Sequence, residues 1–160
     1  MPLIAISCTH INIQRERERG IEQYELDSLT ESIKTFSRVI KATDTCAGCF
    51  QYRGFCYKQL GKYDDALSDF NSFIKLDTTQ AVGYANRASI YYLKHNYSSA
   101  LKDFEKALNL DPGSKVLYNP ISHMLFATGQ KDSACAYYQK SRAVGDTIFD
   151  EKIKEYCDKK

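Results

Sequence analysis

The chain contains no tryptophan, three prolines in 160 residues and no run of 18 apolar residues. So few prolines leave long helices uninterrupted. The missing apolar run gives no reason to expect a membrane-crossing helix. The eight glycines stand singly, so no glycine-rich loop is spelled that could cradle a phosphate. Only three histidines occur, His10, His95 and His123, with no HExxH and no nucleophile elbow around them. Acidic and basic residues interleave to a net charge of +2, too even a balance to favour nucleic acid or an anionic membrane as the main partner. These absences point away from an enzyme, a cofactor and a complete metal site.

The composition that remains, 43% hydrophobic and 26% charged, is that of one soluble domain. Twelve tyrosines suggest helices packed through large amphipathic rings. The chain is ordered by a repeat. Gly54, Tyr57, Gly61, Tyr63, Ala66, Phe70, Leu76 and Asp77 recur as Ala88, Tyr91, His95, Tyr97, Ala100, Phe104, Leu110 and Asp111, always 34 residues later (100 − 66 = 34). Gly129, Ala134 and Tyr138 continue the step, and Ser32 and Phe36 stand one step earlier.

The period, with Gly-x-x-Tyr, then Ala-x-x-x-Phe, then Asp-Pro, resembles the tetratricopeptide repeat. The resemblance covers about Leu29 to Val144 and implies an all-α fold, a solenoid of helix-turn-helix hairpins in a right-handed superhelix. On that grid, 1–12 is an N-terminal tail, 13–46 a degenerate first hairpin, 47–80 and 81–114 full repeats, 115–148 a degenerate repeat and 149–160 a capping helix. Ser28-Leu-Thr-Glu31 spells a capping box ahead of an apolar periodicity. Asn119-Pro120 reads as a helix start, later than the grid predicts. Arg15 to Arg19 alternates in sign and reads as a solvated helical face. Phe149, Ile153, Tyr156 and Cys157 form one stripe of a cap.

Arg53 and Asp69 are 16 residues apart, as are Arg87 and Asp103. On the grid this sets a guanidinium on one helix against a carboxylate on the next, an expected ion pair within each repeat. The third copy has Ile121 and Tyr137 there, so both charges vanish together. Cys46 and Cys49 have the spacing of a redox or zinc half-site without a second half, and Cys56 follows Cys49 at core spacing. Cys135 and Cys157 are either core thiols or a disulfide tying the cap to the stack, the second reading fitting an exported protein.

The resemblance also implies an inner groove formed by the first helices of successive repeats. Gln51, Phe55 and Lys58, then Ala85, Asn86, Ser89 and Tyr92, then Asn119, His123 and Phe126 would line it, aromatics among amides that suit an extended peptide or a partner helix. Tetratricopeptide domains that grip acidic chaperone tails use a clamp of lysine, asparagine and arginine. Asn86 matches such a clamp, whereas Gln51, Phe55, Asn119 and His123 replace its other members. The expected function is a non-enzymatic protein-interaction scaffold. The alternatives are a thiol-dependent redox or metal protein using Cys46 and Cys49, and a module that self-associates into a homo-oligomer. Ser7-Cys8 after a short apolar run resembles the end of a lipoprotein signal, making Cys8 a candidate lipid anchor. The closing segment, Ala134 to Lys140 with Tyr156-Cys157, looks like that of exported bacterial repeat proteins, so a cell envelope or periplasmic location is expected over the cytoplasm.

Overall fold

The computed structural model describes residues 3–145 and 151–159, with side chains from residue 12 onward. Nine helices and no strands occur among the described residues. Two compact units divide them, Met1–Thr78 and Thr79–Lys160. The first holds α1 (Leu3–Glu25), α2 (Leu29–Ala42), α3 (Ala47–Gln59) and α4 (Tyr63–Leu76). The second holds α5 (Ala81–Leu93), α6 (Tyr97–Leu110), α7 (Lys115–Ala127), α8 (Lys131–Ala143) and α9 (Glu151–Asp158).

The repeat period reappears in the helix starts. Helices α3, α5 and α7 begin at 47, 81 and 115, and α2, α4, α6 and α8 at 29, 63, 97 and 131, a constant step of 34 (81 − 47 = 34). The turns keep the same register. Asp27, Gly61, His95 and Gly129 each take the left-handed backbone conformation, with φ of 56°, 70°, 57° and 83°. The next residue's N–H then reaches back to a carbonyl five residues earlier: Ser28 to Gln23, Lys62 to Tyr57, Asn96 to Tyr91 and Gln130 to Leu125, all at 2.8 Å. This closure satisfies an orphan carbonyl at the helix end and aims the chain back along itself.

That turn overrides the capping box read at Ser28. Ser28 makes no side-chain cap bond, and Glu31 pairs with Lys34 at 2.8 Å instead. The Ser28 N–H that Glu31 would have accepted from is already bonded to Gln23. Pro120 is a second correction, because it lies inside α7 and the helix starts on the grid at Lys115. A proline there forfeits one backbone bond near the helix start, which the burial of Leu117, Tyr118, Ile121, Met124 and Leu125 offsets. Third, α1 begins at Leu3, within the segment read as a tail. No proline or glycine lies between Leu3 and Arg19 to stop a helix extending backwards. The Arg15–Arg19 run is less solvated than expected, since Glu16 pairs with Arg38 of α2 at 3.0 Å. The side chain of Cys8 and residue Phe149 of the expected cap stripe lie outside the described residues.

Small residues set the hairpin crossings. In the first unit, a Cβ added to Gly20 would stand 2.8 Å from the Phe36 ring, and one added to Gly54 the same distance from Phe70. The rings therefore lie directly against backbone, which is the closest approach two helices can make. In the second unit Ala88 and Phe104 occupy the same repeat positions in a buried cluster with Ala100, Ala107, Leu117, Ile121, Met124, Leu125 and Ala134. Helix α9 covers the end of that unit, with Ile153 and Cys157 buried against Tyr138.

Charge fixes the register of two hairpins. Arg53 donates from Nε and Nη2 to the two oxygens of Asp69 at 2.8 and 2.7 Å, and from Nη1 to Ser37 Oγ at 2.9 Å. Arg87 grips Asp103 in the same fork, at 2.7 and 2.8 Å. Burial pushes the Asp69 carboxyl up from its ordinary range while the guanidinium pulls against it, and the same bonds hold Arg53 firmly protonated. In the α7/α8 hairpin, Ile121 is fully buried in the apolar cluster and Tyr137 packs against it.

Candidate functional site

Of the residues expected to line an inner groove, the first unit brings forward the α3 trio Gln51, Phe55 and Lys58. Phe55 is already surrounded: its ring centroid lies 6.1 Å from Tyr24, 6.0 Å from Tyr52 and 5.9 Å from Phe70. Tyr24 comes from α1, stands edge-on to Tyr52 at 5.7 Å, and accepts from Gln59 Nε2 at 3.2 Å. The chain's own rings thus cover part of the Phe55 side chain, which stays partly exposed. Burial lowers the pKa of the Lys58 ammonium and raises that of the Tyr24 phenol, as a poorly solvated surface requires. Gln51 remains partly exposed.

The second unit is arranged differently. On α5, Ala85 packs against the apolar cluster, and Ser89 donates to the Asn86 carbonyl at 2.7 Å. The Asn86 side-chain nitrogen is buried and meets no hydrogen-bond partner in the protein. An unsatisfied buried amide donor costs on the order of 1–3 kcal/mol, so a turn of the side chain that brings it to an acceptor is rewarded. Three and six residues further along the chain from Asn86 stand Ser89 and Tyr92. Tyr92 bridges to the neighbouring helix, its hydroxyl 3.0 Å from Nδ1 of His123 and its ring 5.9 Å from the imidazole. Asn119 stands one turn before His123 on α7, partly exposed. The Tyr97 ring extends the platform, 5.8 Å from Tyr92.

Phe126 belongs elsewhere. It packs on the cap, 5.7 Å from Tyr156, with the Lys131 ammonium 5.4 Å from its ring and 5.0 Å from that of Tyr156. The structure therefore joins Tyr92 to His123 and Ser89 to the Asn86 backbone, leaves Asn119 partly exposed on α7, and packs the partly exposed Phe55 and Phe126 against the chain's own rings. Sequence reasoning missed Tyr24 as the side chain that fills the first unit's face. The signal was present, since Tyr24 stands two periods before Tyr92 (24 + 68 = 92).

Four of the cysteines are paired. Cys135 and Cys157 form a disulfide with Cα atoms 5.4 Å apart, joining α8 to α9. Cys46 and Cys49 form a second at the start of α3, so no thiolate is left there for a metal. Cys56 is a buried free thiol, which burial holds protonated and unreactive. No group of three or more His, Cys, Asp or Glu side chains suited to a metal ion occurs among the described residues.

Two sequence profiles described as tetratricopeptide repeat match the chain, over residues 49–79 and 81–114. No curated protein matches it in sequence. Solved structures do match it in fold. MamA from Desulfovibrio magneticus RS-1, residues 41 to the end, superposes with a TM-score of 0.78 at 16% identity, over 82% of this chain and 75% of that one. The first TPR of Spaghetti (RPAP3), solved with the HSP90 peptide SRMEEVD, gives 0.70 at 21% identity over 73% and 93%. YrrB, described as a TPR protein with an unusual peptide-binding site, gives 0.73 at 12% identity over 81% and 67%.

Proposed function

We propose, from the premise that this chain is a tetratricopeptide-repeat protein, that it is a non-enzymatic interaction scaffold whose α5/α7 face takes an extended segment of another protein. The observation that carries the reading is the unpartnered Asn86 amide. A peptide carbonyl is the acceptor that best suits it, because any extended segment supplies one regardless of its side chains. The Tyr92–His123 pair, edge to face between α5 and α7, offers an aromatic surface with polar edges, of the kind that gains binding area at little conformational cost. Asn119 and His123 stand where lysine or arginine would be needed to grip an acidic tail, so a segment of low charge is the better fit. YrrB and the Spaghetti domain are fold relatives for which peptide binding is stated, which supports the class of partner.

The test starts from peptides selected out of a displayed random library on the whole chain. Asn86→Ala should weaken the selected peptides about tenfold or more without lowering the unfolding midpoint, because it removes a buried donor that the free protein leaves unsatisfied. Unchanged affinity in both Asn86→Ala and Tyr92→Ala would remove the proposal. Two disulfides favour an oxidising compartment, which supports an envelope or periplasmic location. Partition of Cys8→Ala against the unaltered chain between membrane and soluble fractions checks the lipid anchor. Sedimentation over a range of concentrations checks a homo-oligomer.

A further inference from the structure

We infer that the Cys46–Cys49 disulfide is a reversible thiol–disulfide exchange site, at which Cys46 is the sulfur that meets a redox partner and Cys49 the one that resolves. The two ends of the bond are unlike. Cys46 is partly exposed and forms the N-cap of α3, while Cys49 is fully buried in the cluster of Phe36 and Val39. Of the two residues only Cys46, which also packs on that cluster, keeps exposed surface, so it is the end an incoming thiolate can approach. The surroundings of Cys46 favour a thiolate once the bond opens. Its Sγ already accepts the Cys49 backbone N–H at 3.3 Å, in the orphan-donor zone of a 13-residue helix. The Arg17 guanidinium of α1 lies against the intervening Gly48, its Nη2 3.6 Å from where a Cβ would stand. A partly exposed cysteine at a helix N-terminus, on a turn whose Gly48 an arginine approaches, has the electropositive setting of reactive cysteines.

The other disulfide also joins a partly exposed cysteine, Cys135, to a buried one, Cys157, but it lacks the helix N-terminus. Cys135 sits inside α8, where the helix amides are bonded within the helix, and its bridge holds α9 in place. Conserving atoms and electrons, a partner dithiol would attack Cys46 Sγ through one thiolate. The Cys46–Cys49 bond breaks, and its electron pair leaves on Cys49, which takes a proton. The partner's second thiolate then attacks its own sulfur in the mixed disulfide and expels Cys46 as a thiolate. The chain gains two electrons and one proton, with Cys46 left as the thiolate, and the partner becomes a disulfide. Run backwards, reduced Cys46 attacks a partner disulfide and Cys49 releases it.

The experiment uses the full chain, glutathione disulfide as the probe and peptide mapping to read each cysteine separately. In Cys49→Ser, glutathione should accumulate on Cys46 of the folded protein. In Cys46→Ser, Cys49 should react at least tenfold more slowly. Equal trapping of the two, or none on Cys46, overturns the inference. Should either variant fail to fold, the unaltered chain reduced with dithiothreitol and pulsed with iodoacetamide gives the same comparison. A labelling ratio of ten or more for Cys46 over Cys49 supports the assignment, and a ratio near one overturns it. Arg17→Gln should slow Cys46 labelling about threefold, the size expected of a partly exposed charge. An unchanged rate would remove Arg17 from the site.

Discussion

Tyr52 and Phe55 of α3 stand at the repeat positions that Asn86 and Ser89 hold in α5, 34 residues on (86 − 52 = 34). In the first unit both positions are rings: Tyr52 stacks on Phe36 at 5.7 Å and Phe55 is closed in by Tyr24. In the second unit they are a small hydroxyl and an amide with a donor to spare. One backbone grid therefore supports two uses of the same slot. Filled with aromatics it packs against the chain's own rings, and left polar it becomes a surface that gains by acquiring a partner.

Removing the charge that anchors the first unit should have the largest effect. Asp69→Ala leaves Arg53 without its bidentate partner and is expected to cost about 4 kcal/mol in urea unfolding. Arg53→Ile with Asp69→Tyr copies the apolar pair of the α7/α8 hairpin and should return at least half of that loss. If the double variant is no better than the single, the equivalence of the two pairings is wrong. Next comes the filled slot itself. Phe55→Ala should lower stability by about 3 kcal/mol, against about 1 for Tyr92→Ala, and only the second should weaken peptide binding. Equal costs would break the distinction between a core face and a binding face.

The crossings give a smaller, paired test. Gly54→Ala drives a methyl into the Phe70 ring and should cost about 2 kcal/mol, while Ala88→Gly, which only removes one, should cost about 1. Smallest is the turn. His95→Gly relieves a left-handed residue that three other turns fill with Gly or Asp, and should stabilise by about 1 kcal/mol in thermal unfolding. A loss instead would mean that the His95–Tyr97 bond, 3.0 Å long, outweighs the backbone strain.

Much of the helical framework was legible because the repeat marks its turns and crossings with small residues. Gly61 and Gly129 announced the left-handed turns, and Ala66, Ala100 and Ala134 the close approaches. The Arg–Asp fork followed from two charges that recur and disappear in step. Pro120 misled because a local rule about helix starts carries no information on what the following residues bury. Ser28 misled because its N–H had a second claimant, the Gln23 carbonyl, that only the closed turn brings near. Phe55 and Phe126 looked like groove residues because periodicity gives the face of a helix and not what lies across from it.

The sequence alone determined the helical period, the places where the chain turns and the pairing of charges within a hairpin. All of these follow from spacings of a few to a few tens of residues and from backbone sterics. Tertiary structure decided which inner-face rings meet the chain's own side chains and which polar groups are left without a partner. It also decided which sulfur of the Cys46–Cys49 pair faces outward. Those outcomes depend on neighbours brought together across helices, where a few ångströms separate a buried contact from an available one.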